Sequence, residues 1–297
     1  MNLITNLYSA LAQGTLWGIM AMGVYITFRI LNIADLSCDG TFALGGCISA
    51  IFITKGVDPF LTLLIAFVAG MAAGWVTGIL HTKLMIPAIL AGILTMIALW
   101  SVNIRVMGGP NVSLLGEDTI FTKVMEIFGF NQTLSTLLVG ILIGVIVIAA
   151  LYWFFGTEIG CALRATGDNE YMVRALGGNT DTSKVLGLVI SNGLISVSGA
   201  LVAQNQGYGD VKMGTGSIVI GLASIVIGEV VFGKRFNFAY ILFSLIGGSI
   251  IYRMVISLVL HFGLSTDDMK LFTAIVVALA LGIPALKVKY LQRRTPA

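Results

Sequence analysis

Charge is what this sequence has least of. Asp, Glu, Lys and Arg make up 10% of its 297 residues, against about 25% in soluble domains. With 57% hydrophobic residues and a mean hydropathy of +0.98, that shortage excludes an ordinary soluble domain and places the chain in a bilayer. Cysteine is scarce too. Cys38, Cys47 and Cys161 are odd in number and widely spaced, in apolar or cytosol-like contexts, which indicates neither a disulfide framework nor a zinc site. His81 and His261 fall in segments too far apart to share a metal. Five prolines against 36 glycines, without a Gly-X-Y period, exclude a collagen-like polymer and fit membrane helices packed through small residues. The first apolar segment lacks a basic lead-in and further spans follow at once, so no cleavable signal peptide is expected.

A membrane helix needs about 20 apolar residues, and such runs recur along the chain. Nine spans are read: Leu11 to Phe28, Asp39 to Ile53, Phe60 to Leu80, Leu84 to Ile104, Leu134 to Phe155, Val185 to Ala203, Gly214 to Phe232, Phe238 to Leu260 and Met269 to Leu286. The fold class is therefore an all-α polytopic membrane protein, a single permease-like domain over 1–297. Orientation follows from the cations, because the side that carries each Lys or Arg matters more than the net charge of +3. One side collects Arg29, Lys83, Arg164, Arg174, Lys184, Lys234, Arg235, Lys287, Lys289, Arg293 and Arg294. The other holds only Lys55, Arg105, Lys123, Lys212 and Lys270, with Arg253 inside a span. The positive-inside rule thus puts the C-terminus in the cytosol. Nothing in this balance calls for nucleic acid.

Two spans open on polar, Gly-rich breaks. Asn32-Ile33-Ala34-Asp35-Leu36-Ser37-Cys38-Asp39-Gly40-Thr41 precedes an apolar run of only twelve residues, and Gln204-Asn205-Gln206-Gly207-Tyr208-Gly209-Asp210 leads through Gly214-Thr215-Gly216-Ser217 into the seventh span. Four spans before the fifth and four after it have opposite topology. Matched broken helices in two inverted halves point to a solute path near the midplane, because unwound backbone is tolerated in a membrane only where protein or a watery cavity satisfies it. The plainer reading makes both breaks interfacial loops.

The longest cytosolic stretch, Gly156 to Lys184, centres on a short helix. Asp168 is its expected N-cap, Glu170 lies in the first turn, Arg174 comes late and Gly177-Gly178 supplies the stop. Met172, Ala175 and Leu176 would form a small apolar face. Two turns are not stable by propensity alone, so this helix needs something to pack on: its own membrane domain or a separate cytosolic protein.

The segment Glu158 to Asp181, continuing through Lys184 to Ser198-Gly199-Ala200, resembles the cytoplasmic signature of ABC importer permeases of the branched-chain amino acid type. Asn32 to Ser37 with Asp39-Gly40 and Gly45-Gly46 is similar to the second-helix motif of that family, although Asp35 and Asp39 stand where amino acid permeases usually show a His-Gly-Glu pattern. The likeness covers nearly the whole chain and leans to a subgroup of permeases for aromatic amino acids or related small solutes. It implies a type II importer fold, a dimer of permeases, a cytosolic ATPase pair binding ATP and Mg²⁺ in place of any cofactor in this chain, and an extracytoplasmic substrate-binding protein in a bacterial plasma membrane. It also implies that Asp168, Asn169, Glu170, Met172, Val173, Arg174, Ala175, Leu176 and Gly177 dock into the ATPase.

Other motifs read less grandly. Gly228-Glu229-Val230-Val231-Phe232-Gly233-Lys234-Arg235 imitates a phosphate-binding loop but ends at Arg where the Mg²⁺-binding hydroxyl belongs, so the two cations are read as membrane anchors and the chain as non-enzymatic. Gly70, Gly74 and Gly78, Gly14 and Gly18, and Gly140 and Gly144 are small-residue packing faces. Candidate pathway residues are Asn32, Asp35, Asp39, Thr41, Gln204, Asn205, Tyr208, Asp210 and Glu229. Asp35 and Asp39, four apart, would share a helix face if that stretch were helical, and either could contact a solute ammonium, or else they sit hydrated or paired beside Arg29 at the interface. Glu229 suits an inner-rim ion pair with Lys234 as well as it suits solute. Gln204 to Asp210 suit either a small polar solute or the rim where a binding protein docks. Arg253 is expected to snorkel outward. The loop Gly108 to Thr133, with a short helix at Thr122 to Phe128, would meet the binding protein. The leading function is ATP-driven import; an ion- or proton-coupled carrier using Asp35, Asp39 and Glu229 is the alternative, and an intramembrane aspartyl hydrolase is the weakest.

Overall fold

The computed structural model describes residues 3–233 and 237–261, with 271, 274, 275, 277, 278 and 282. In chain order the helices are α1 (Leu3–Tyr25), extended by a π-helical turn (Ile26–Ile30), α2 (Cys38–Thr54), α3 (Pro59–Thr82) and α4 (Ala88–Met107). Then come strand β1 (Asn111–Ser113), α5 (Ile120–Phe128), α6 (Gln132–Phe155), α7 (Glu158–Asp168), α8 (Glu170–Ala175) and α9 (Thr180–Gln206). Strand β2 (Tyr208–Asp210), α10 (Ser217–Phe232) and α11 (Phe238–His261) complete the described elements. Local chemistry sets their limits. Asp58 caps α3, accepting from the Phe60 N–H at 2.9 Å ahead of Pro59, whose missing N–H costs nothing in a first turn. Thr119 and Thr122 close a reciprocal cap on α5.

Among the described residues six helices are long and apolar enough to cross a membrane: Thr5–Ile30, Pro59–Thr82, Ala88–Met107, Gln132–Phe155, Thr180–Gln206 and Phe238–His261. The apolar α2 and α10 have 17 and 16 residues, about 25 Å of helix at 1.5 Å per residue against a hydrocarbon core of about 30 Å. These eight helices coincide with the first eight expected spans. The ninth, Met269 to Leu286, lies outside the described residues apart from isolated positions.

α1 and α9 form the core: 78% and 83% of their apolar windows are buried, against 28–39% for α3, α4, α6 and α11, whose outward faces are left for lipid. α9 packs along α3, and α1 along α11. Burial of α9 is not driven by hydrophobicity, which lipid would satisfy equally well, but by short polar bonds and close backbone approach. Ser191 donates to the Gly23 carbonyl at 2.8 Å, Ser196 to Ala66 at 2.6 Å and Ser198 to Leu16 at 2.8 Å. Facing them, a Cβ added at Gly70 would fall 2.5 Å from the Asn192 carbonyl oxygen, so only glycine lets α3 come this near.

At one end of the bundle β1 and β2 pair antiparallel, Val112 opposite Gly209, and α5 packs beside them on α6 and α9. At the other end lie α7 and α8. The expected single helix in this stretch is corrected to two. Asp168 is the last residue of α7, and Asn169, extended at φ −154° and ψ 96°, breaks the chain and caps α8 through the Met172 N–H at 3.0 Å. Its short amide reaches that N–H because the residue leaves the helical region, whereas Asp168 stays in it.

Candidate functional site

The two short helices meet at their beginnings. Asp39, in the first turn of α2, accepts hydrogen bonds from the Gly216 N–H at 2.8 Å, the Ile218 N–H at 2.9 Å and the Ser217 hydroxyl at 2.9 Å. One carboxylate thus occupies the positive ends of both helices, where the aligned peptide dipoles favour an anion. Gly214 lies against the Asp39 carbonyl so closely that any side chain there would overlap it.

Asp35 does something different. It is 3% exposed and accepts from the Ser37 N–H at 2.8 Å, the Ser37 hydroxyl at 2.6 Å and the Asn192 amide of α9 at 2.8 Å. The helix that would have put Asp35 and Asp39 on one face does not form. Residues 32–36 are not helical, so one carboxylate turns to α9 and the other to α10. The cause is local: Asp35 holds the Ser37 N–H two residues on, a turn that competes with helix. A pair so divided shares no proton, which removes the geometry an aspartyl hydrolase needs. Thr41 is buried, with its hydroxyl donated to the Ser37 carbonyl at 3.1 Å.

Beside this junction a cavity of about 390 Å³ opens along α4, lined by Asp39, Gly40, Met96, Ile97, Trp100, Ser101, Asn103, Val211 and Thr215. Asn103 is 1% exposed. Its amide nitrogen reaches the Gly40 carbonyl at 3.3 Å, and its oxygen is buried with no hydrogen-bond partner. Trp100 adds an exposed indole. The cavity thus combines an anion and an aromatic wall, with the buried Asn103 at its edge. Asn103 and Trp100 were not picked out from sequence, although an amide within an apolar span is itself a signal.

The remaining candidates divide between the two ends. Gln204 is buried, donating to Ser49 at 2.9 Å and accepting from the Ile120 N–H at 3.1 Å. Asn205 accepts from Thr136 at 2.7 Å. With Tyr208 they line a cleft of about 490 Å³ beneath β1 and α5. Asp210 accepts from the Lys212 N–H at 2.6 Å, turning the chain after β2. At the opposite end Asn32, left-handed at φ +55°, donates to the Gly167 carbonyl of α7 at 2.9 Å. Glu229 pairs with Arg29, whose Nε donates to it at 2.9 Å. Lys234, its expected partner, lies outside the described residues, as does Arg235. Arg253 does not snorkel. Its guanidinium stacks on Trp17 at 4.3 Å from the ring centre, because the buried indole offers it an electron-rich face.

On α8, Glu170 joins Lys184 at 2.7 Å and Arg174 at 2.7 Å, and Arg174 also reaches Asp181 at 3.0 Å. The Lys184 hydrogen bond, then the Lys184 and Arg174 charges, hold the Glu170 carboxyl below its ordinary value. Val173 is buried, while Tyr171, Met172 and Leu176 are 85%, 53% and 79% exposed. Gly177, at φ +83°, ends the turn.

Apolar helices, polar-stitched core and paired half-helices define a multi-pass membrane protein of the transport class. The sequence matches the family described as branched-chain amino acid transport system / permease component over residues 6–284. It is 39% identical over 274 residues to a tyrosine transport system permease protein of Clostridioides difficile (strain R20291), covering 92% of this chain and 90% of that protein. A ribose import permease protein, RbsC of Escherichia coli (strain K12), is 28% identical over 67% of this chain and 61% of its own length. The fold is similar to the solved PsaBC from Streptococcus pneumoniae in complex with Fab, with a TM-score of 0.51 and 17% identity over 94% of this chain and 91% of that one. The chain belongs to the branched-chain amino acid permease family of ABC transporters. As a permease component it is a transport subunit of the inner membrane, which sets the ion-coupled carrier aside.

Proposed function

We propose that this chain imports an amino acid or a related small polar solute, driven by a separate pair of ATP-binding subunits that dock on α8. The relatives' tyrosine and ribose support small polar cargo. The observation that carries the coupling is α8 itself: six residues, too short to persist alone, yet capped, ion-paired and anchored by Val173 while Tyr171, Met172 and Leu176 face outward. Such a knob suits a groove on a partner. ATP and Mg²⁺ belong to that partner, and α8 lies on the cytosolic side with the C-terminus.

Force on α8 reaches the junction through few links. α7 joins α8 at Asn169, Asn32 holds the Gly167 carbonyl, Asp35 fixes the start of α2 to α9, and Asp39 fixes α2 to α10. Moving α7 would shift the half-helix ends and with them the cavity along α4, whose open edge suits a second permease copy. In this reading four spans lie in each of two inverted halves around α6, for nine in all. Tyr208, Asp210 and α5 face an extracytoplasmic substrate-binding protein, and solute passes from there by the Asp39 and Asn103 cavity.

Leu176→Asp tests the docking. The variant should insert and fold normally, since Leu176 is exposed, but recover less than about a tenth of the ATP-binding subunit in a detergent pull-down, because one charge in an apolar contact costs well over 1.4 kcal/mol. Undiminished recovery would refute α8 as the docking element.

A further inference from the structure

A further polar cavity lies where α1 begins and α11 ends. It holds about 570 Å³ and is lined by Asn6, Ser9 and Gln13 of α1 and by Arg253, Ser257 and His261 of α11, among others. It shares no lining residue with the cavity along α4. Arg253 lies eight residues before the end of α11, about 12 Å along the helix axis. Its Nε is sealed from solvent and has no hydrogen-bond partner, and among the described residues no carboxylate pairs with it. A cation at such depth is costly unless an anion or acceptors meet it.

Stacking on Trp17 covers one face of the guanidinium, and in its plane the Nε–H is left without a partner. The neighbours point the same way. Asn6 and Gln13 bring amide donors, Ser9 and Ser257 bring hydroxyls, and the described lining contains no acid. A planar fork with neutral donors around it matches a carboxylate or a phosphate, whose two oxygens it meets in parallel.

We propose that this cavity is an oxyanion site in which Arg253 receives a carboxylate or phosphate group in bidentate fashion. The group belongs either to a soluble zwitterion or anion, or to an anionic lipid headgroup. The site does not depend on how α8 is coupled.

Trp17 reports on it directly. The full-length permease with Trp75→Phe, Trp100→Phe and Trp153→Phe retains Trp17 as its one tryptophan of four. In one arm it is placed in nanodiscs of phosphatidylcholine with rising phosphatidylglycerol; in the other, phosphatidylcholine discs are titrated with inorganic phosphate or L-phenylalanine. A saturable change in Trp17 emission is expected in one arm. Its midpoint should rise about tenfold or more in Arg253→Gln and recover in part in Arg253→Lys, since a charged hydrogen bond is lost and then partly restored. Response to phosphatidylglycerol assigns a headgroup; response to phosphate or phenylalanine assigns a soluble ligand. No saturable response in either arm, or one unchanged by Arg253→Gln, overturns the site. Should Arg253→Gln fail to fold, the unaltered protein and Arg253→Lys decide it: native mass spectrometry without preference for phosphatidylglycerol, together with a silent soluble arm, has the same force.

Discussion

Asp39 bears more of the architecture than its place in a polar break suggests. Two backbone N–H groups and a hydroxyl from the start of α10 end on it, so removing the carboxylate leaves three donors without their acceptor. Asp39→Ala should cost about 2 kcal/mol or more from the lost cap and the unmet donors, read as a lower melting temperature in detergent, and uptake should fall with it. Asp39→Asn keeps one acceptor oxygen and should lose less stability while still impairing transport. An unchanged melting point in Asp39→Ala, with only a raised KM, would show that Asp39 serves solute and not the helix junction. Sequence flagged the residue because carboxylates are rare near membranes. It did not reveal the role, because the bonded groups lie far along the chain and converge only in the fold. Asn103 went unnoticed for the opposite reason: it closes an apolar run that reads as a plain span, and its orphaned oxygen is visible only once α4 lies against α2.

Elements were more legible than residues. Apolar runs bounded by charge placed eight helices, since in a bilayer length and hydropathy are the dominant constraints, though α1 and α9 begin eight and five residues before their expected spans. The segment between α6 and α9 was half legible. Asp168 and Asn169 both suit an N-cap, and only backbone geometry decides between them. Once formed, α8 is held in part by the Glu170 ion pairs, and this gives it a pH dependence. Lys184 and Arg174 lower the Glu170 pKa from its ordinary 4.5. A lowered folded-state pKa means that the contribution is complete above 4.5 and fades as pH falls through the lower folded value. A spin label at Tyr171→Cys, in a background lacking Cys38, Cys47 and Cys161, should therefore keep constant mobility at pH values above the ordinary 4.5 and loosen only as pH falls below it. Glu170→Gln should be mobile at neutral pH already, with that step gone. A step that persists in Glu170→Gln would assign the titration to another group.

At the scale of the whole molecule, the arrangement is of two helix sets locked through their first members: α1 runs against α11, α9 against α3. Hydropathy does not show this, because α9 is among the less apolar helices and is central on account of Ser191, Asn192, Ser196 and Ser198. An ion pair ties α1 to α10 at the α7 end. Arg29, in the π-helical turn after α1, pairs with Glu229 near the end of α10, with side chains 39% and 11% exposed. Any motion that parts α1 from α10 at this end must open the pair, whose strength in a partly exposed setting is about 1 kcal/mol, small enough for a domain movement to break. Alternating access should therefore use this pair as an inner latch. Glu229→Arg places two cations together and should bias the end open, slowing uptake in proteoliposomes and raising ATP hydrolysis without solute. Adding Arg29→Glu reverses the pair and should restore both rates toward the original. Rescue by the double reversal separates a latch from a solute contact: a carboxylate that touches solute cannot be moved to α1 with its function intact, and failure of the swap to restore uptake would assign Glu229 to the pathway instead.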